Sequence, residues 1–236
     1  MFWKTDFISE DLALWVFDNY TWAIDLYGPA FWLTPASLVR PTKDYFTAKG
    51  GGDHASALGV FNDVKQLLHL THLRIKLEPI PQLTPKHSFE HGQTSMIAAQ
   101  YFHDDVEPLI TYNPLVMAKP LDFISMLAHE LMHAKLEPHI ESLPGGEGAH
   151  ELATDLHCII HGFGLIQLQG AADAGWSGYM TQNTRAFATT IFTELTDSQD
   201  LITGNLRGRE AKLIKKAAKT LNNWQPELDD LKAKLI

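Results

Sequence analysis

His129 and His133 lie four residues apart, with Glu130 directly after the first. On a helix that spacing stacks two imidazoles on one face, where both can meet a single metal ion. Glu130 projects beside them, placed to take a proton from water at that ion. The run His129-Glu130-Leu131-Met132-His133 therefore spells H-E-x-x-H. Two imidazoles and a carboxylate suit Zn²⁺, and one zinc per chain is the expectation. The motif is short, so its surroundings must support it.

The surroundings do so. Pro120 and Asp122 mark a helix start, with Asp122 a candidate N-cap, and Pro138 blocks continuation much beyond Glu137. Between them Ile124, Leu127, Ala128, Leu131 and Met132 recur at helical spacing as an apolar stripe that anchors the helix in a core. Both histidines lie at its edge. A glutamate on so apolar a helix is costly to bury without a partner, which favours metal chemistry over plain packing.

A catalytic zinc takes three protein ligands and leaves a position for water. Glu151 is one candidate for the third. It follows Gly145, Gly146 and Gly148, which supply a turn, and precedes the apolar run from Leu152 to Ile160, which supplies a second helix. Asp155 lies one turn after Glu151 on the same face, where it can accept the distal N–H of His129 or His133. His139 is the other candidate, six residues after His133, the spacing of the H-E-x-x-H-x-x-G-x-x-H metzincins. Those enzymes break the helix at a glycine where this chain has Leu136, and Met180, the candidate for a Met-turn residue, reads better as core. Glu147 and His150 are further alternatives.

H-E-x-x-H followed by E-x-x-x-D on a second helix resembles the gluzincin class of zinc metallopeptidases, through His129, Glu130, His133, Glu151 and Asp155. The stretch from Thr154-Asp155-Leu156 to Gly162-Phe163-Gly164 is similar to uncharacterised bacterial zincin-like proteins, and the likeness spans about residues 10 to 195. The resemblance implies a zincin-like α+β fold, in which a small mixed sheet flanks the H-E-x-x-H helix and the C-terminal half is mainly helical. It also implies a peptide or protein substrate, bound by main-chain pairing to an edge strand. The activity implied is metallopeptidase hydrolysis. Zinc at His129, His133 and Glu151 activates water, and Glu130 is the general base. Tyr179, Arg185, His157 and His161 are candidates by residue type to stabilise the oxyanion. The competing expectation is a catalytically inactive zincin-like domain that keeps its metal and acts as a binding or regulatory module. An intact Glu130 argues against it.

At 236 residues the chain suits a single domain, residues 1–236, with 205–236 as a basic helical extension. Residues 1–204 carry 11 basic and 24 acidic side chains, whereas 205–236 carry 8 and 4, so a body of −13 precedes a tail of +4. That acidic body argues against nucleic acid as a partner. No apolar run is long enough to span a membrane, the first residues lack a secretory pattern, and the lone Cys158 fits a reducing compartment. A cytoplasmic protein is the expectation.

Around the motif, the aromatic-rich segment 8–33 has helical periodicity through Leu12, Trp15, Val16, Tyr20 and Ala23, and a further helix runs from about Ala55 to Leu70. Strands are expected at His72–Leu77, Met96–Phe102 and Leu109–Tyr112, the last two joined by His103-Asp104-Asp105. After a turn at Gly175–Gly178, Asn183–Leu195 reads as a helix with Ala186, Phe187, Thr190 and Ile191 inward. A last helix sets Leu213, Ile214, Ala217, Ala218 and Leu221 against a solvated face of Lys212, Lys215, Lys216 and Lys219. His150, His157 and His161 are expected as surface or partly buried side chains, and Cys158 as a small buried hydrophobe.

Overall fold

The computed structural model describes residues 6–33, 37–80, 99–104, 107–173 and 178–236. In chain order its regular elements are α1 (Glu10–Tyr27), α2 (Pro29–Leu33), α3 (His54–Leu67), β1 (Lys76–Pro79), β2 (Ala99–Phe102), β3 (Leu109–Tyr112) and α4 (Pro120–Leu136). There follow α5 (His150–Cys158), α6 (Gly164–Asp173), α7 (Gln182–Leu195), α8 (Gln199–Asn205), α9 (Gly208–Leu221) and α10 (Gln225–Ala233). The class is α+β, and after Tyr112 every regular element among the described residues is helical. Residues 41–138 form one compact unit, and residues 1–40 with 139–236 form another.

Residues 41–138 contain a three-stranded mixed sheet in the order β1-β3-β2. β1 runs parallel to β3 from Lys76↔Leu109 to Pro79↔Tyr112, and β2 runs antiparallel to β3 from Ala99↔Tyr112 to Phe102↔Leu109. β1 begins at Lys76, later than the alternation from His72 implies. The cause lies in how α3 ends. His69 adopts a positive φ of 58°, Leu70 N–H returns to Lys65 O at 2.8 Å, and Lys65 Nζ donates to Leu73 O at 2.8 Å. Residues 69–73 thus close the helix, and their backbone is not extended. Of the expected strand Met96–Phe102, residues 96–98 lie outside the described residues, and Ala99–Phe102 is β2.

α4 starts at Pro120, whose missing N–H costs nothing in a first turn. Lys119 is the N-cap residue and makes no side-chain capping bond, so Asp122 belongs to the first turn, where the helix dipole favours its charge. The α-helix ends at Leu136 and tightens into a 3₁₀ segment, Glu137–Ser142, which Pro138 tolerates. All five stripe residues, Ile124, Leu127, Ala128, Leu131 and Met132, are buried.

The other unit is built on one core. Val16, Tyr20 and Ala23 of α1 join Leu156, Ile159 and Ile160 around α5, and Phe187, Ile191 and Phe192 of α7. The C-terminal stretch contributes to the same core through Ile214, Ala217, Leu221, Leu228, Leu231 and Leu235. α5 does not pass straight into α6. A π-type turn, Ile159–Phe163, intervenes, with Gly162 at φ +91°. Glycine is required there twice over: the backbone is left-handed, and a Cβ would collide with the Ser37 carbonyl oxygen. That approach lets Gly162 O accept from Val39 N at 2.9 Å. Among the described residues no helix is long and apolar enough to cross a membrane.

Candidate metal centre

On α4, burying the 124-127-128-131 stripe leaves His129 and His133 at the margin, each half-buried. Their Nε2 atoms are 3.1 Å apart, with ring centroids 4.8 Å apart and planes at 85°. Two nitrogens bound to one tetrahedral zinc at its usual bond length stand about 3.4 Å apart, so the pair already has close to the separation of two ligands. Glu130, beside His129, is buried at 9% exposure.

The same helix carries a second polar group. Glu137 follows His133 by four residues, at the end of α4. Tyr101 of β2 donates its hydroxyl to Glu137 Oε2 at 3.1 Å, and His103 Nδ1 lies 2.6 Å from Glu137 Oε1. The Tyr101 ring lies nearly parallel to that of His133, at 12° and 6.3 Å between centroids. Burial, and then the Glu137 carboxylate, raise the Tyr101 phenol well above its ordinary pKa. This cluster was not anticipated from the sequence. Glu137 could have been found by its i+4 spacing from His133, but no sequence signal links Tyr101 or His103 to the helix.

Glu151 stands in the first turn of α5, half-buried, and Asp155 lies one turn further on, 3% exposed. Asp155 Oδ2 accepts from Tyr179 N at 2.9 Å, Met180 N at 3.1 Å and Arg185 Nη2 at 3.0 Å. Gly178 makes this convergence possible. At φ +95°, a Cβ there would fall on Arg185 Nη2 and come within 2.9 Å of Asp155 Oδ2. The structure therefore joins Asp155, Arg185 and the 178–180 backbone into one buried polar knot. Arg185 spends a guanidinium nitrogen on Asp155, while the Tyr179 side chain is 63% exposed.

His157 and His161 are not surface or partly buried side chains: they are 0% and 4% exposed. His157 Nε2 donates to Asn19 Oδ1 at 3.2 Å, and its ring meets Trp22 edge-on at 5.2 Å. His161 Nδ1 donates to His157 O at 2.8 Å, with Tyr27 and Phe31 rings at 5.1 and 5.2 Å. The aromatic face of α1 and the residues after it enclose both rings, so burial exceeds what residue type implies. His139 is half-buried in the 3₁₀ segment, 5.9 Å from the Trp22 ring. Cys158 and Met180 are buried core residues. Glu147 is exposed and His150 half-buried at the start of α5. No known family model, curated protein or solved structure matches this chain.

Proposed function

We propose that the chain is a zinc-dependent hydrolase of gluzincin-like, and hence zincin-like, design that cleaves peptide bonds. One observation carries the metal assignment. The Nε2 atoms of His129 and His133 stand 3.1 Å apart on one face of α4, and Glu151, in the first turn of α5, is the third ligand we assign. The donor set is chemically apt, because two imidazoles and one carboxylate are a catalytic zinc's usual partners. Leu136 stands where the metzincin spacing calls for a glycine and leaves α4 unbroken through that residue, which weighs against His139 as the third ligand.

A zinc ion held there would supply Lewis acidity and bring the pKa of a water molecule towards about 7. Glu130, on the same helix as both histidines, would take a proton from an attacking water as its oxygen adds to the peptide carbonyl carbon. The C–N bond then breaks, and Glu130 delivers the proton to the departing amine nitrogen. Glu151 contributes one negative charge, which offsets half of a divalent charge and leaves the rest for catalysis. Asp155, held by Arg185 and the 178–180 backbone, is the residue we assign to orient a histidine ring.

Metal stoichiometry by elemental mass spectrometry tests the site. Near one zinc per wild-type chain, and far less in Glu151→Ala, is the expected result. Zinc retained in full by Glu151→Ala would remove Glu151 from the ligand set. For the reaction, Glu130→Gln should keep its zinc and lose hydrolysis of a mixed fluorogenic peptide library by about 100-fold or more. Wild-type zinc binding without any hydrolysis would favour a metal-bearing binding module.

A further inference from the structure

We propose that Tyr101 and Glu137 act as positioning residues for His133, fixing the plane of its ring for metal binding. The inference rests on the reading that His133 is a metal ligand, and adds the device that holds it. An imidazole on a helix can turn about its Cβ–Cγ bond, and a ligand ring that turns loses its aim at the ion. Partners beyond the ligands themselves usually prevent this.

Here the restraint has three parts, all within residues 41–138. The Tyr101 ring lies within 12° of parallel to His133 at 6.3 Å, an offset stack, so turning His133 out of its plane means displacing the phenol ring. That ring is itself tethered at both ends. Its backbone is fixed in β2, where Tyr101 is paired with Ile110 of β3. Its hydroxyl donates to Glu137 Oε2 at 3.1 Å, and Glu137 lies one helical turn beyond His133. His103, the residue just past the end of β2, holds the other carboxylate oxygen at 2.6 Å. The strand and the helix terminus thus grip the phenol between them. A solvent-accessible contact such as His103–Glu137, with side chains 55% and 34% exposed, adds little to stability on its own, which favours a geometric role for it.

The test measures Zn²⁺ affinity by competition with a chromophoric chelator, and the visible absorption of the Co²⁺-substituted protein. Wild type is compared with Tyr101→Leu, Tyr101→Phe and Glu137→Gln. Tyr101→Leu removes the stacked face and should weaken zinc binding by about 10- to 100-fold, with a shifted cobalt spectrum. Tyr101→Phe keeps the face and frees the ring, so it should recover part of that loss, and Glu137→Gln should resemble it. A cobalt band reports ligand geometry and would not move for a purely structural residue. If Tyr101→Leu does not fold, Tyr101→Phe and Glu137→Gln carry the comparison alone. Wild-type affinity and spectrum in all folded variants would overturn the inference while leaving the zinc site intact. A wild-type chain that binds neither metal would overturn the site reading and this inference together.

Discussion

His129 and His133 share their four-residue spacing with His157 and His161, and each pair begins on an α-helix. The first pair sits on the uninterrupted α4, half out of the core, with its two Nε2 atoms 3.1 Å apart. The second spans the change from α5 into the π-type turn, where His161 has φ −93° and ψ 17°, outside the helical region. Its nitrogens go elsewhere, His157 to Asn19 and His161 to the backbone carbonyl of His157, and its rings fill gaps between Trp22, Tyr27 and Phe31. Spacing therefore brings two imidazoles within reach of each other, and two further conditions decide whether they converge. The helix must stay regular between them, and the face must open out of apolar packing.

The sharpest way to break this contrast is to truncate one histidine from each pair. His133→Ala should weaken zinc binding by more than about 100-fold, since even partners outside the ligand shell are worth up to that much. His157→Ala should leave zinc affinity unchanged and instead destabilise the zinc-free protein by roughly 2–4 kcal/mol, from the cavity and the stranded Asn19 amide. Chelator competition reads the first effect and urea unfolding the second. If the two variants exchanged these outcomes, the second pair would be the metal site.

The same contrast explains what was legible in the sequence. Periodicity located the buried face of α4, because a single helix facing one core repeats every 3.6 residues. Phe187 and Ile191 on α7, and Ile214, Ala217 and Leu221 on α9, followed for the same reason, whereas Leu213 is half-buried and Ala218 exposed, at the margin of that face. The start of β1 was misplaced because His72 and Leu73 alternate correctly but serve the end of α3, a tertiary use of backbone that alternation does not record. The burial of His157 and His161 depends on α1 aromatics more than 120 residues away in the chain. Tyr101 was placed in a strand, but its hold on Glu137 comes from packing a strand against a helix, which no local pattern encodes.

Charged groups extend the comparison, since each unit withdraws a cation from water in a different way. Arg185, with a side chain 4% exposed, is answered by Asp155 at 3.0 Å. Asp155→Asn keeps the shape and removes the charge, leaving a guanidinium buried against a neutral amide. Breaking a buried pair in this manner costs about 3–5 kcal/mol. Urea unfolding should show a loss of that order, together with disturbance of the 178–180 backbone that Oδ2 organises. A loss below about 1 kcal/mol would mean that water or another anion replaces Asp155, and that the polar knot is not what fixes α5 to α7.

Lys135 gives the smallest and most specific effect. It lies on α4 with its ammonium donating to Leu68 O at 2.8 Å, and burial pulls its pKa down to about 8. An unfolded lysine titrates near 10.4. Below about pH 8 both states carry the proton, and the folded state bears the full cost of desolvating it. Between about 8 and 10.4 the unfolded chain holds more protons than the folded one, so stability must rise with pH across that window. The full shift corresponds to at most about 3 kcal/mol, reduced by the water that still reaches this partly exposed side chain. Lys135→Met should flatten the rise, and at pH 7 should be neutral or more stable, because the lost charge penalty outweighs about 1 kcal/mol for the Leu68 carbonyl bond. Unfolding curves for the zinc-free protein at pH 7, 8, 9 and 10 separate the cases. A wild-type profile that does not rise, or a variant that keeps the same slope, would show that Lys135 reaches water in the folded state and that α4 tolerates its charge without cost.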